Sequence, residues 1–295
     1  MQLTSPAIAH ALLALTPLEG HHPAALDGVT LMRADASLAP APVLQEPSIV
    51  IIGQGLKRGY LGDEVFHYQP GQCLVVSVPM HFNCDTVVGD DGPMLALAVQ
   101  VDMATVRELL SKMLPPRSPA PAAPSRGMAV ADLDAAMTDT VQRLLQALAS
   151  ADETRILGPQ LLRELHYRVL QGPGGDCLRA LAAWHGRSGP IFRACERIRL
   201  DYAQALDIGT LAREAAMSAS AFHQAFKAVT GHSPIQYLKA TRLHRARELI
   251  LHGSNGAAQA AYEVGYASAS QFSREFKRLF GHSPADAIHH AGEHA

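Results

Sequence analysis

A chain of 295 residues, 48% of them hydrophobic and with a formal net charge of -2, is long enough for two domains of ordinary size, each with its own core. No uninterrupted apolar run approaches the roughly 20 residues needed to cross a bilayer. The opening MQLTSPAIAHALLALTPLEG lacks the basic start and small-residue cleavage site of a secretory signal and reads as a helix or strand entry, so a soluble cytoplasmic protein is expected. Cys73, Cys84, Cys177 and Cys195 are scattered without a close pair, which suggests neither a zinc cluster nor a disulfide framework and fits a reducing compartment. The charge is uneven: from residue 189 onward twelve Lys and Arg face nine Asp and Glu, leaving thirteen against eighteen for the rest. Only the C-terminal part suits a polyanion. Eight of the 15 histidines also lie there, and phosphate would favour their charged form.

From residue 29 to about residue 101, short apolar runs alternate with Gly, Pro, Asn and Asp turns: PSIVIIGQG (47–55), YLGDEVFHY (60–68), PGQCLVVSV (70–78) and PMLALAVQV (93–101). Strands at this spacing predict an antiparallel barrel or sandwich, with a hairpin at LGDE (61–64). PPRSPAPAAPSRG (115–127) is too rich in Pro and Ala for regular structure and reads as an exposed loop or linker. Beyond it Leu133, Met137, Val141, Leu144, Leu145 and Leu148 recur at helical spacing, as do Leu157, Leu161, Leu162, Leu165 and Val169. These two amphipathic helices need cover from the barrel or from a second copy of the chain. GPGG (172–175) ends them, and a short helix is expected over 177–185.

The sequence repeats itself. SASAFHQAFKAVTGHSP (218–234) returns fifty positions later as SASQFSREFKRLFGHSP (268–284). Phe222 and Phe226, and again Phe272 and Phe276, stand four apart and share one helix face. Gly231 and Gly281 suit C-caps, and the prolines that follow start the next helix. Ahead of each copy lies a short helical segment, 211–216 and 258–264, joined by a tight turn in which Gly265 has Ala215 as its counterpart. Ser268 and Gln271 read as a capping box. Two helices across a tight turn describe a helix-turn-helix, which lays the start of its second helix in the major groove. The residues off the phenylalanine face are then free to touch DNA: Ser220, His223, Gln224 and Lys227 in the first unit, and Ser270, Gln271, Ser273, Arg274 and Lys277 in the second. Gln and Arg read adenine and guanine edges through paired hydrogen bonds, and serines serve base or phosphate. On a lone helix such residues are more often a solvated face. A duplicated helix that keeps its buried face and varies its exposed one is what reading two different short sequences requires.

Between the units, PIQYLKATRLHRARELIL (234–251) predicts a connecting helix. At about 1.5 Å per residue it is about 27 Å long, against about 34 Å for one turn of duplex, so two recognition helices can address successive major grooves. Its Lys239, Arg242, Arg245 and Arg247 are candidates for backbone contact or for a solvated basic face.

These residues resemble the AraC/XylS family of transcription regulators. The likeness covers roughly 191–287, including VGYASASQFSREFKRLFGHSP (264–284); the ADAIHH that follows departs from the family's usual arginine. IVIIGQGLKRGYLGDEVFHYQPGQCLVVSVPM (49–80) resembles the sensor of one AraC-type subgroup, which implies a cupin-like β-barrel followed by helices that often mediate dimerisation. The expected fold is α+β: a cupin-like barrel over 1–114, the Pro/Ala-rich loop over 115–127, a helical dimerisation or linker segment over 128–188, and an all-α tandem helix-turn-helix domain over 189–295.

A cupin could instead be a metalloenzyme. His21, His22, His67 and His81 are available, but the close His-x-His and following Glu of such a site are missing. Cys73 and Cys84 read as buried strand side chains, and Lys57 and Arg58 as solvated charges in a GLKRG turn, with a reactive thiol or an anion site as the sharper alternatives. No catalytic residue, metal or cofactor is expected. The expectation is a promoter-binding regulator of the activator type, dimeric, working with RNA polymerase and controlled by a small-molecule effector. The alternative is a ligand-independent regulator whose barrel only dimerises.

Overall fold

The computed structural model describes residues 6–114, 126–182, 189–252 and 256–287. Most of the Pro/Ala-rich segment and the end of the helix expected over 177–185 lie outside them. In chain order come α1 (Pro6–Leu15), β1 (Gly20–Pro23), β2 (Val29–Ala34), β3 (Leu38–Gln45), β4 (Ser48–Gln54), β5 (Leu56–Leu61), β6 (Glu64–Tyr68), β7 (Gln72–Val76), β8 (Met80–Val87), β9 (Met94–Gln100) and α2 (Met103–Lys112). There follow β10 (Met128–Asp132), α3 (Ala135–Leu148), α4 (Ala151–Ile156), α5 (Gly158–Gln171), α6 (Gly175–Ala182), α7 (Gly189–Asp201), α8 (Ile208–Glu214), α9 (Ala219–Thr230), α10 (Pro234–His252), α11 (Ala257–Glu263) and α12 (Ala269–Phe280).

The strands form two antiparallel sheets, ordered β1-β2-β9-β4-β7-β10 and β3-β8-β5-β6, in a cupin-like jelly roll. The larger sheet is buried on both faces. In β4, Ile49 and Ile51 join the cluster built with α1, α3 and α5, while Val50 and Ile52 join the cluster between the sheets. In β7, Cys73 and Val75 take the first side and Leu74 and Val76 the second; in β9, Leu95 and Leu97 oppose Met94 and Ala96. Side chains alternate along a strand, so a strand covered on both sides must be apolar throughout. That is the physical reason for the runs SIVII, CLVV and MLALAV. The expected hairpin joins β5 to β6, with Leu61 opposite Glu64.

Two expectations change. Residues 128–132 do not open a helical segment: β10 pairs with β7, Met128 opposite Val76 and Asp132 opposite Gln72, and completes the larger sheet. GLKRG is not a turn, because Lys57 and Arg58 lie within β5, paired with both β6 and β8. The two helices read from leucine spacing are present as α3 and α5.

In the C-terminal half, α8 and α9 form the first helix-turn-helix unit, α11 and α12 the second, and α10 joins them. Phe222, Phe226 and Tyr237 belong to the same apolar cluster as Leu61, Met80 and Phe82 of the barrel, so the first unit is docked on the smaller sheet. The second unit has a cluster of its own around Phe272, Phe276, Val264 and Tyr266.

Candidate nucleic-acid interface and sensor cavity

The two second helices begin alike. Ser218 Oγ accepts from Ala221 N and Ser268 Oγ from Gln271 N, each at 3.3 Å. Both end at a left-handed glycine, Gly231 at φ 76° and Gly281 at φ 83°. The reciprocal half of the box expected at Ser268 is not made, because the Gln271 side chain donates to Glu275 Oε1 at 3.1 Å. A full capping box instead opens α10: Ser233 N donates to Gln236 Oε1 at 3.3 Å and Gln236 N to Ser233 Oγ at 3.4 Å.

The turns differ by one residue. Gly265 adopts φ 89°, and a Cβ there would stand 2.4 Å from the Ala203 carbonyl oxygen, so only glycine fits. In the first unit the left-handed residue is Ala216, at φ 55°, and not Ala215. Met217 N bonds Ala212 O just as Tyr266 N bonds Ala261 O. The first turn thus reaches its N-cap serine one residue sooner, and the fifty-residue register slips at this point.

All nine residues singled out as DNA-facing, Ser220, His223, Gln224, Lys227, Ser270, Gln271, Ser273, Arg274 and Lys277, are exposed, whereas the four phenylalanines are 0% exposed. Ser273 Oγ donates to Ala269 O at 2.9 Å. The basic residues of α10, by contrast, are engaged within the protein. Lys239 Nζ lies 2.8 Å from Glu275 Oε1, and Tyr266 donates to the other carboxylate oxygen at 2.8 Å. Burial pushes the Glu275 carboxyl up, but its bonds from Lys239, Gln271 and Tyr266 outweigh this and hold it below the usual range. Arg242 donates to the carbonyls of Tyr202 and Gln204 beyond α7. Arg245 pairs with Glu46 and Glu248. The Arg247 guanidinium lies 5.3 Å from the Phe280 ring centroid. Each of the four thus has a partner within the protein, which a plain solvated basic face would not have.

Between the sheets lies a cavity of about 110 Å³ lined by His21, Met32, Lys57, Cys84, Thr86 and Met94, among others. His21 is itself exposed to solvent. Burial pushes the Cys84 thiol up and the Cys73 thiol up to about 12, which leaves Cys73 a packed side chain. Arg58 is taken by Asp85, its Nε 3.0 Å from both carboxylate oxygens. Among the described residues no three His, Cys, Asp or Glu are placed to hold a metal, and no helix is long and apolar enough to cross a membrane.

A feature that sequence reasoning missed is the seam between barrel and DNA-binding half. Tyr237 donates to Pro79 O at 2.7 Å, Gly127 N to Val229 O at 3.0 Å, and His81 Nε2 lies 2.9 Å from Thr241 Oγ1. Arg245 reaches Glu46 at 2.5 Å.

A jelly roll docked on tandem helix-turn-helix units defines the class of the protein as a two-domain DNA-binding regulator. The model of the AraC-type transcriptional regulator N-terminus matches residues 25–177, and a helix-turn-helix domain model matches residues 211–289. The first alone spans more than half of the chain, and the chain belongs to the AraC-type transcriptional regulators. Among solved structures it is similar to wild-type ToxT from Vibrio cholerae bound to an unsaturated fatty acid, at 12% identity and a TM-score of 0.60, covering 92% of this chain and 97% of that one. It is also similar to Vibrio cholerae ToxT bound to (E)-4-(8-methylnaphthalen-1-yl)but-3-enoic acid, at 11% identity and a TM-score of 0.59, covering 88% and 97%. Comparison with curated protein sequences gives no match.

Proposed function

We propose that the protein is a sequence-specific activator, dimeric and cytoplasmic, which recruits RNA polymerase, catalyses no reaction, and takes a small-molecule effector in the cavity between its sheets. The observation that carries the DNA reading is the division of each recognition helix. The phenylalanines of both are fully buried, and the varied polar residues, four on the first and five on the second, all face solvent, on helices joined by a 19-residue connector. Ser220, His223, Gln224 and Lys227 read one short sequence, and Ser270, Gln271, Ser273, Arg274 and Lys277 read the next.

The effector reading rests on connectivity. Leu38, Ala41 and Val43 of β3 and Cys84 and Thr86 of β8 line the cavity, and the same two strands carry the contacts to α10, through Glu46 just after β3 and His81 in β8. A ligand that binds the docked and undocked arrangements unequally shifts their balance. Lys57, Arg33 and His21 supply cationic or hydrogen-bonding groups and Thr86 a hydroxyl to a lining otherwise made of Met, Ala, Leu, Val and Cys84, so a small acid with a short apolar body suits it. The two ToxT ligands share the acid group, though not the short body. One observation favours the second reading, a barrel that only dimerises: the cavity, at about 110 Å³, is small beside ligand pockets of roughly 300–1,000 Å³.

The test is a pull-down of genomic fragments with purified full-length protein at physiological salt, followed by sequencing. Enrichment of a few promoters that share two short motifs about one helical turn apart supports the reading. Uniform retention that fades as salt rises means electrostatic binding alone and overturns it.

A further inference from the structure

Three histidines, one from the barrel and two from the DNA-binding half, meet at the seam. The His81 ring centroid lies 5.2 Å from that of His244 and 6.4 Å from that of His232. His81 is 3% and His244 6% exposed. The protonation of His81 follows from its neighbours. Thr241 Oγ1 donates its only proton to Tyr237 O at 2.9 Å, so toward His81 it can only accept, and the imidazole carries its proton on Nε2. Nδ1 is then a bare lone pair, buried and with no hydrogen-bond partner. A buried polar atom left unpaired opposes burial, and a proton added there would be a buried donor without an acceptor.

The surroundings also oppose a positive charge. α10 contributes His244, Arg245, Arg247 and Tyr237, and the turn before it His232. α12 offers the Phe280 ring, 5.1 Å from His244, with His282 beyond it. The carboxylates nearby are turned to other partners: Glu46, just after β3, and Glu248 are held by Arg245, and Glu196 of α7 by Arg199. Among the described residues no carboxylate bonds His81 or His244.

We infer that this histidine cluster makes docking of the DNA-binding half on the barrel acid-labile, with protons releasing α10 and the first helix-turn-helix unit from β8. Burial pushes both imidazoles down, His244 to about 3 and His81 well below its ordinary value. Undocking returns them to water and to an ordinary value of about 6.5. The undocked state therefore binds more protons below that pH, and docking is fully present above about 6.5 and lost as pH falls toward the docked values. One unit below 6.5, each histidine weakens docking about tenfold, and the two together about a hundredfold.

The measurement is hydrogen–deuterium exchange of the full-length protein from pH 8 to 5.5, corrected for the intrinsic pH dependence of amide exchange. Amides of α10 and β8 should lose protection as pH falls while those of β4 and β9 in the barrel core keep theirs. A His81→Asn/His244→Asn double variant, folded by circular dichroism, should show seam protection that no longer changes with pH. If the double variant does not fold, His81→Gln alone should reduce the pH dependence about tenfold. Constant seam protection in the wild type across this range, loss of the core amides together with the seam, or an unchanged pH dependence in the folded variants would each overturn the inference.

Discussion

Replacing Gly265 by alanine tests the account of the second helix-turn-helix turn. The new methyl would stand 2.4 Å from the Ala203 carbonyl oxygen, on a backbone held at φ 89°. Left-handed strain contributes about 1–2 kcal/mol and the enforced shift of backbone about 1–3 kcal/mol, offset by about 0.4–1 kcal/mol from the stiffer unfolded chain. The net expectation is a destabilisation of about 2–4 kcal/mol, the sum of those terms. Because the second unit has its own apolar cluster, the loss should be local: native-state hydrogen exchange should show α11 and α12 opening more easily while β4 and β9 are unchanged. The converse substitution, Ala216→Gly, relieves a left-handed alanine at φ 55° and should stabilise the first unit by up to about 1 kcal/mol. A Gly265→Ala protein whose opening free energy stays within about 0.5 kcal/mol of the wild type would refute the reasoning.

Other expectations concern contacts and core. Arg274→Ala should weaken binding to a cognate promoter by about 1–3 kcal/mol and relax preference at one base position, measured by titration against operator variants. Lys277→Ala should weaken binding evenly across sequences and lower the slope of affinity against salt by about one. Phe272→Ala, at a fully buried ring, should cost about 3–5 kcal/mol and unfold the second unit, abolishing recognition of one half of the site while the first unit keeps its exchange protection. Tyr237→Phe removes the buried bond to Pro79 O and should loosen the seam by about 1–3 kcal/mol, read as lost protection in α10.

The DNA-binding half was legible because duplication writes its own control into the sequence: Phe222 and Phe272 mark the same buried face, and what differs around them faces solvent. The slip at Ala216 was hidden, since alanine carries no sign that its backbone is left-handed. Lys239, Arg242, Arg245 and Arg247 look like any basic helix face, and their partners come from three other places in the chain: Glu275 and the Phe280 ring of α12, the Tyr202 and Gln204 carbonyls, and Glu46. In the barrel, apolar runs announced β4, β7 and β9. β3 (LAPAPVLQ) went unread because two prolines argue against a strand, and they are tolerated here because β3 lies at a sheet edge. The histidine seam was beyond sequence reasoning altogether, as His81, His232 and His244 meet only after the two halves dock.

The placement of β10 bears on how the chain can be cut. The barrel's larger sheet is not complete when the chain leaves α2; it waits for residues 128–132 to come back across the Pro/Ala-rich stretch and lie along β7. A fragment ending at residue 114, the natural place to divide the sequence by composition, would leave β7 as an open apolar edge with nothing along it, a surface on which other strands assemble. It would also lack α3 and α5, which cover the outer faces of Ile49, Val75 and Leu97. The barrel is thus a unit whose last strand is made late, and protease nicking between residues 114 and 126 would leave two pieces that remain associated.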